Sequence, residues 1–226
     1  ARPTTMAQSL AESVATALRR NEYDQDAIEL LESYVAEQVE QNTYDFVANK
    51  ALLKLYQFFP ARTNEHMVAL ILTKALMALP STDMTLLLYL VPDTVRAKEP
   101  ILTLVRCHEH LETGKFVEFW EVANLGGNEL LDAIHGFDEA MRQYMISVLC
   151  MTFQSLESEV FMDLVALPDE HLAEYVGTKS DVMRLEGKQV IFVENPQNQP
   201  QPKTFKENIS FDHLAPVMSL LTSPSS

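Results

Sequence analysis

The chain has 226 residues, 47% of them hydrophobic and 22% charged, which excludes the disordered and low-complexity classes. It is long enough to bury a core without disulfides or metals. Seventeen basic residues against thirty-two acidic ones give a formal charge of −15, which repels phosphate backbones and anionic lipid. We therefore expect no direct DNA or RNA binding and no membrane contact.

The two cysteines, Cys107 and Cys150, fall in apolar stretches and do not form the spaced array of a secreted disulfide scaffold. The longest uncharged runs are shorter than the roughly 18 residues that a membrane-spanning helix needs. The N-terminus also lacks an apolar signal core. We therefore expect a reducing, cytoplasmic environment, with which nuclear presence is also compatible.

Up to about residue 154 the apolar residues recur at intervals of three and four, which predicts a series of α-helices. Gly114 and Gly136 suit the left-handed residue that follows a helix end, and Pro60, Pro80 and Pro92 stop the apolar runs before them. The nine predicted helices span residues 5–20, 25–42, 45–59, 64–79, 83–91, 97–113, 115–124, 128–135 and 138–154.

Two of these helices are apolar nearly all round, from Met67 to Leu79 and from Met84 to Val91. A helix without a polar face must be covered on more than one side. The spacing of the helix pairs suits a solenoid, but no tetratricopeptide or ankyrin signature repeats along the chain. The sequence therefore predicts an irregular stack of helices.

After residue 154 the pattern changes to short helices and strands. Helices are predicted at 158–166 and 169–176, a buried strand at 189–193, and a returning strand at 203–206 after a loop with three prolines at 195–202. With the 138–154 helix first and a third strand at 154–156, this is the element order of a winged helix.

The third helix of this module, Asp169 to Val176, carries three carboxylates and no Lys or Arg. In a DNA-binding winged helix the corresponding helix enters the major groove, and basic side chains neutralise the phosphates. An acidic helix would be repelled there. The module is therefore interpreted as a protein-binding winged helix.

Motifs for catalysis or ligand binding are missing from the sequence. It has no Gly-x-Ser-x-Gly elbow and no glycine-rich phosphate loop. The densest group of metal-ligand residues is Cys107-His108-Glu109-His110, where only Cys107 and His110 share a helix face, whereas zinc requires three or four ligands. We interpret it as an ordinary helix with a buried cysteine and surface histidines, and expect no catalytic residue, cofactor or metal.

The C-terminal tail contains a group of apolar side chains that is too small to form a core of its own. Their combined apolar area is too large to be left exposed to water. Its members are Phe211, Leu214, Met218 and Leu221. These four side chains are the candidate partner interface. Pro216 limits a regular helix here to a turn or two.

The segment from Tyr44 to Pro60, YDFVANKALLKLYQFFP, resembles subunit k of eukaryotic translation initiation factor 3, whose members carry Tyr-Asp, Ala-Asn and Leu-Lys-Leu-Tyr-Gln-Phe before a proline. The resemblance extends over about residues 25–220, and Pro216 departs from it. Further matches, in chain order, are Lys74-Ala75-Leu76, Leu79-Pro80, Thr82-Asp83, Phe116 with Phe119-Trp120, Gly136-Phe137, and Ile209 to Met218.

The resemblance implies a HEAT-like helical domain at residues 1–136, a winged helix related to PCI scaffolds at 137–208, and a tail at 209–226. It implies a non-catalytic cytoplasmic scaffold subunit that supports translation initiation, lies beside subunit l, and reaches the small ribosomal subunit through the complex. The alternatives are a subunit of another PCI-type complex, such as the proteasome lid or the signalosome, and, from a different class, an enzyme.

Overall fold

A computed structural model describes residues 3–124, 131 and 134–200, with side chains from residue 10 onward. The helices up to residue 124 are α1 (Pro3–Arg20), α2 (Ala27–Glu40), α3 (Phe46–Phe58), α4 (Glu65–Met77), α5 (Asp83–Leu88), α6 (Asp93–Arg96), α7 (Ile101–Glu112) and α8 (Phe116–Asn124). The later elements are α9 (Phe137–Thr152), β1 (Ser155–Glu157), α10 (Ser158–Val165), α11 (Asp169–Thr178), β2 (Met183–Glu186) and β3 (Gln189–Phe192).

The mostly helical fold class predicted from the sequence is confirmed. One predicted boundary is wrong, because the helix expected at 97–113 begins only at Ile101, directly after Pro100. The residue before a proline avoids the helical conformation, which separates the short α6 from α7. The helix predicted at 128–135 falls mostly outside the described residues. In the part of the chain that the structure describes, no helix is long and apolar enough to cross a membrane.

Helix α4 forms the centre of the helical array, where it contacts α2, α3, α5, α7 and α9. Its side chains are buried on every side, as its nearly all-round apolar sequence predicts. Six of them have no exposed surface: Ala69, Ile71, Leu72, Thr73, Ala75 and Leu76. The irregular stack therefore closes around one central helix.

The core of the array also contains Lys74, which is only 4% exposed. Its ammonium donates a hydrogen bond of 2.7 Å to Oδ1 of Asn42, a residue with a φ of 52° in the turn after α2. Burial lowers the pKa of Lys74 from its ordinary value. This contact ties the end of α2 to the central helix.

The three strands form one antiparallel sheet in the order β1-β3-β2. Val190 and Phe192 of β3 point to the inner face, where Phe192 lies against Phe161 of α10 with ring centroids 6.4 Å apart. Gly187, with a φ of 64°, turns the chain between β2 and β3. Helix, strand, helix, helix and a two-stranded hairpin, in this strand order, have the topology that the sequence analysis predicts for a winged helix, and we use that name for α9 to β3.

The prediction of a strand near 154–156 is confirmed by β1, and the strand at 189–193 by β3. The prediction that the stretch 203–206 is the hairpin partner of β3 is wrong. Its hairpin partner is β2, which the sequence interpretation missed, and β1 occupies its other edge. The stretch 203–206 lies outside the described residues, and both edges of β3 are already paired.

Candidate protein-interaction site

The winged helix is joined to the helical array at Trp120 of α8, which contacts α10 and Arg142 of α9, both parts of the winged helix. The indole Nε1 of Trp120 donates to the Leu164 carbonyl at 3.1 Å. Arg142 donates to the carbonyls of Val165 and Ala166 at 3.1 and 3.3 Å, and its guanidinium lies 5.3 Å from the Trp120 ring centroid. These carbonyls end α10, where a helix attracts hydrogen-bond donors and cations. The junction therefore fixes the orientation of the winged helix on the array.

Of the two residues at this junction, the sequence analysis named Trp120 only as part of the family resemblance and did not identify Arg142. Trp120 is only 6% exposed, as an anchor should be. One feature of the sequence could have identified Arg142. It directly follows Met141 on a helix whose inward-facing residues are apolar. A single cation there needs a partner, but the sequence does not show that the partner is the end of α10.

Helix α11 presents a negative surface to the solvent. Asp169, Glu170 and Glu174 are all exposed, while Leu172 and Val176 point into the core. The neighbouring cation Lys179 is already paired with Glu139 at 3.4 Å. The helix that reads DNA in other winged helices is therefore electrostatically unsuited to phosphate here.

The purified protein is accordingly expected to bind neither duplex DNA nor single-stranded RNA at about 150 mM salt, because the exposed carboxylates of α11 and the formal charge of −15 oppose phosphate contacts. Fluorescence anisotropy with labelled oligonucleotides at several salt concentrations checks this. Micromolar binding that weakens steeply with added salt would contradict it.

Tyr175 of α11 stabilises the same region from inside. Its hydroxyl lies 3.3 Å from both carboxylate oxygens of Glu139 and donates to them. Burial and the charge of Glu139 raise the pKa of Tyr175 to about 12. The phenol is therefore a permanent hydrogen-bond donor that holds α11 against α9, and it has no acid-base role near neutral pH.

The Cys107-His108-Glu109-His110 segment lies on α7. Within the described ranges no three His, Cys, Asp or Glu side chains come together in an arrangement that could hold a metal ion. Cys107 has no exposed surface, and burial raises the pKa of its thiol to about 12. It is therefore a core residue, as predicted.

His108 corrects the expectation of surface histidines, because it is only 5% exposed. Its Nε2 lies 3.2 Å from Oε1 of Glu112 and 3.3 Å from Oγ1 of Thr85 on α5. Burial lowers the pKa of His108, against the opposing effect of Glu112 and Glu109. The periodicity of α7 alone could not show that α5 covers this residue.

A cavity of about 520 Å³ lies on the outer face of the sheet. Its polar lining consists mainly of the amides Gln154, Gln189 and Gln199, with Arg184 and Glu194 as the charged side chains. The lining also contains the hydroxyl of Ser155, but no histidine or lysine beside it that could act as its base.

The chain is similar in sequence to proteins from several eukaryotes. A sequence model of the CSN8/PSMD8/EIF3K family matches residues 62–204. A protein from Bombyx mori named eukaryotic translation initiation factor 3 subunit K is 35% identical over 222 residues, which are 96% of this chain and 99% of that protein. The proteins of the same name from Danio rerio and Dictyostelium discoideum are 33% and 32% identical, covering 87% and 83% of this chain and 89% and 74% of theirs.

The chain belongs to the eukaryotic translation initiation factor 3 subunit K family. The family model's description also includes the names CSN8 and PSMD8, but the relatives that match most of the chain carry the subunit K name. The resemblance drawn from Tyr44 to Pro60 is thereby confirmed.

In this member of the subunit K family, the Tyr44 to Pro60 segment forms α3 and its N-terminal cap. Asp45 Oδ1 accepts from the amides of Val47 and Ala48 at 2.9 and 3.1 Å, which caps the helix. Asn49 and Gln38 are each 1% exposed and donate to each other at 3.2 and 3.0 Å. Much of the motif is therefore structural.

The four residues predicted as a partner interface, Phe211, Leu214, Met218 and Leu221, lie outside the described residues. They stay a prediction for this member of the subunit K family. The division of the chain at residues 136 and 208 is likewise a prediction.

Proposed function

We propose that the protein is a non-catalytic scaffold subunit of the initiation factor 3 complex. It supports translation initiation by contacting other subunits, subunit l in particular, and reaches the small ribosomal subunit through the complex. The observation that carries this proposal is the similarity, over nearly the whole chain, to proteins named initiation factor 3 subunit K.

The geometry of the described residues supports a scaffold role. The winged helix is held on the array by the contacts of Trp120 with the Leu164 carbonyl and with Arg142, so that the surfaces of the two parts keep a fixed relative position. The exposed carboxylates of α11 favour basic protein surfaces over nucleic acid. A protein of this kind acts in the cytoplasm, where initiation complexes assemble.

The proposed organisation assigns residues 1–136 to a HEAT-like domain, 137–208 to the winged helix and 209–226 to a tail for partner contact. Affinity purification of the tagged chain from its source cell, read by mass spectrometry, tests the assignment to the complex. Initiation factor 3 subunits are the expected result. Recovery of proteasome-lid or signalosome subunits in their place would contradict it.

A chain ending at Asn208 is expected to keep nearly the same melting temperature while losing affinity for the complex. Burying three or four side chains such as Phe211, Leu214 and Leu221 contributes about 1.5 to 3 kcal/mol each, less the cost of ordering the tail. Thermal unfolding and co-purification with subunit l measure the two effects separately. A melting temperature lowered by many degrees would assign the tail to the core, and two unchanged assays would make it dispensable.

A further inference from the structure

The solvent-facing side of α3 carries a stripe that the fold does not use. Val47 and Phe58 are each 59% exposed, and Lys50 and Lys54 lie between them, half-buried. Spacings of three and four residues put these four side chains on one side of the helix. We call them the outer face of α3.

Most of the remaining residues of α3 are buried in the core. Leu52 and Leu55 have no exposed surface, and Tyr56 donates a hydrogen bond to Glu32 of α2. The residues of the outer face, in contrast, leave large apolar area in water at both ends of a three-turn helix. Exposed apolar area of this kind, next to charged side chains, is typical of an interaction surface.

Tyr23 enlarges the apolar area at one end of the outer face. Its ring lies edge-on to that of Phe58, with centroids 5.1 Å apart and an interplanar angle of 89°, and it is 52% exposed. Two exposed aromatic rings in contact form a firm anchor for a partner side chain. Glu22 and Asp24 flank Tyr23 in sequence and are also exposed, so that the positive charge is confined to the middle of the face.

The two lysines are not neutralised within the described chain. Neither Lys50 nor Lys54 forms an ion pair with a described carboxylate. The ammonium of Lys50 lies 5.3 Å from the centroid of the Phe46 ring, which leaves its charge unpaired. The protein has a formal charge of −15, so two neighbouring unpaired lysines between apolar side chains make this part of the surface locally positive.

We propose that the outer face of α3 docks an acidic amphipathic helix of another protein. The face is about 16 Å long from Val47 to Phe58, which matches three turns of a partner helix laid along it. Apolar residues of that helix would contact Val47 at one end and the Tyr23–Phe58 pair at the other, and its carboxylates would face Lys50 and Lys54. The remaining acidic surface would repel the same helix, so that charge directs it to this face.

A second copy of this chain is a poorer occupant. Two outer faces packed against each other would bring the lysines of one copy close to those of the other, and like charges in a contact are unfavourable. The inference rests on the proposed function only in assuming that the partner belongs to the same complex.

The test replaces both lysines in the full chain, as Lys50→Glu with Lys54→Glu, and measures affinity for the initiation factor 3 complex lacking this subunit. The matched control carries the same change of charge at two exposed lysines elsewhere, Lys115→Glu with Lys188→Glu. The outer-face variant is expected to bind at least about tenfold more weakly than the wild type and to show a shallower dependence on salt. The control should bind as the wild type does, and both variants should keep its melting temperature.

A photo-reactive benzoylphenylalanine in place of Val47 identifies the occupant in the assembled complex. The cross-linked peptide is expected to be amphipathic and rich in Asp and Glu. A cross-link to a second copy of this chain, to a basic segment or to RNA would overturn the proposal, as would equal binding by the outer-face variant and the control. Failure of the wild type itself to join the complex would instead contradict the proposed function.

Discussion

Replacing Leu52 or Leu55 with alanine is expected to lower the free energy of unfolding by about 2 to 5 kcal/mol. Both side chains have no exposed surface and lie on the inner side of α3, which contacts α2 and α4. Each replacement removes apolar contacts and leaves a cavity that a core built around one central helix can close only in part.

Equilibrium denaturation with urea measures this effect. Gln57→Ala is the matched control, because Gln57 is exposed on the same helix and should change stability by no more than about 0.5 kcal/mol. A Leu52→Ala variant with an unchanged melting temperature and lost partner binding would move the inner side of α3 from the core to an interface.

The second large effect is expected at the junction. Trp120→Ala should lower the free energy of unfolding by about 3 to 5 kcal/mol, because it removes a buried indole. The same change removes the donor to the Leu164 carbonyl and the ring beneath Arg142. The end of α10 then loses one of its three hydrogen-bond donors.

A companion variant separates packing from hydrogen bonding. Trp120→Phe keeps an aromatic ring but removes the N–H group, and the unpaired carbonyl should cost about 1 to 3 kcal/mol. Val117→Ala on the same helix is the control, since Val117 is 41% exposed. Denaturation together with hydrogen exchange along α10 checks the prediction. Equal stability of Trp120→Ala and the control would show that the junction contributes little.

Periodicity was sufficient to predict the helical array, because burial in a stack of helices repeats every three or four residues. Helix α4 shows this most clearly, since its lack of a polar face predicted that neighbours would surround it. The contacts that cross between helices were not predictable. The pairing of Gln38 with Asn49 and the cover that Thr85 provides over His108 depend on which helices become neighbours.

The sequence of β2, the strand that was not predicted, contains a pattern that could have identified it. Met183-Arg184-Leu185-Glu186 alternates apolar and charged residues and is followed by Gly187 and one more residue before β3, which is typical of a tight hairpin. Four residues are too few for alternation alone to predict a strand. The stronger β-branched run of β3 favoured a partner strand further along the chain. Pairing is decided by the turn and not by the apolar content of the strand.

The chain contains a single tryptophan, and that residue is Trp120. Its indole is the one intrinsic fluorophore of its kind, and it stands where the winged helix meets the array, beside a guanidinium and a helix end. Emission excited at the indole absorption edge therefore reports on one place in the molecule. Water entering the junction would shift that emission to longer wavelength, so that closure between the two parts can be followed without a label, in the free subunit and during assembly.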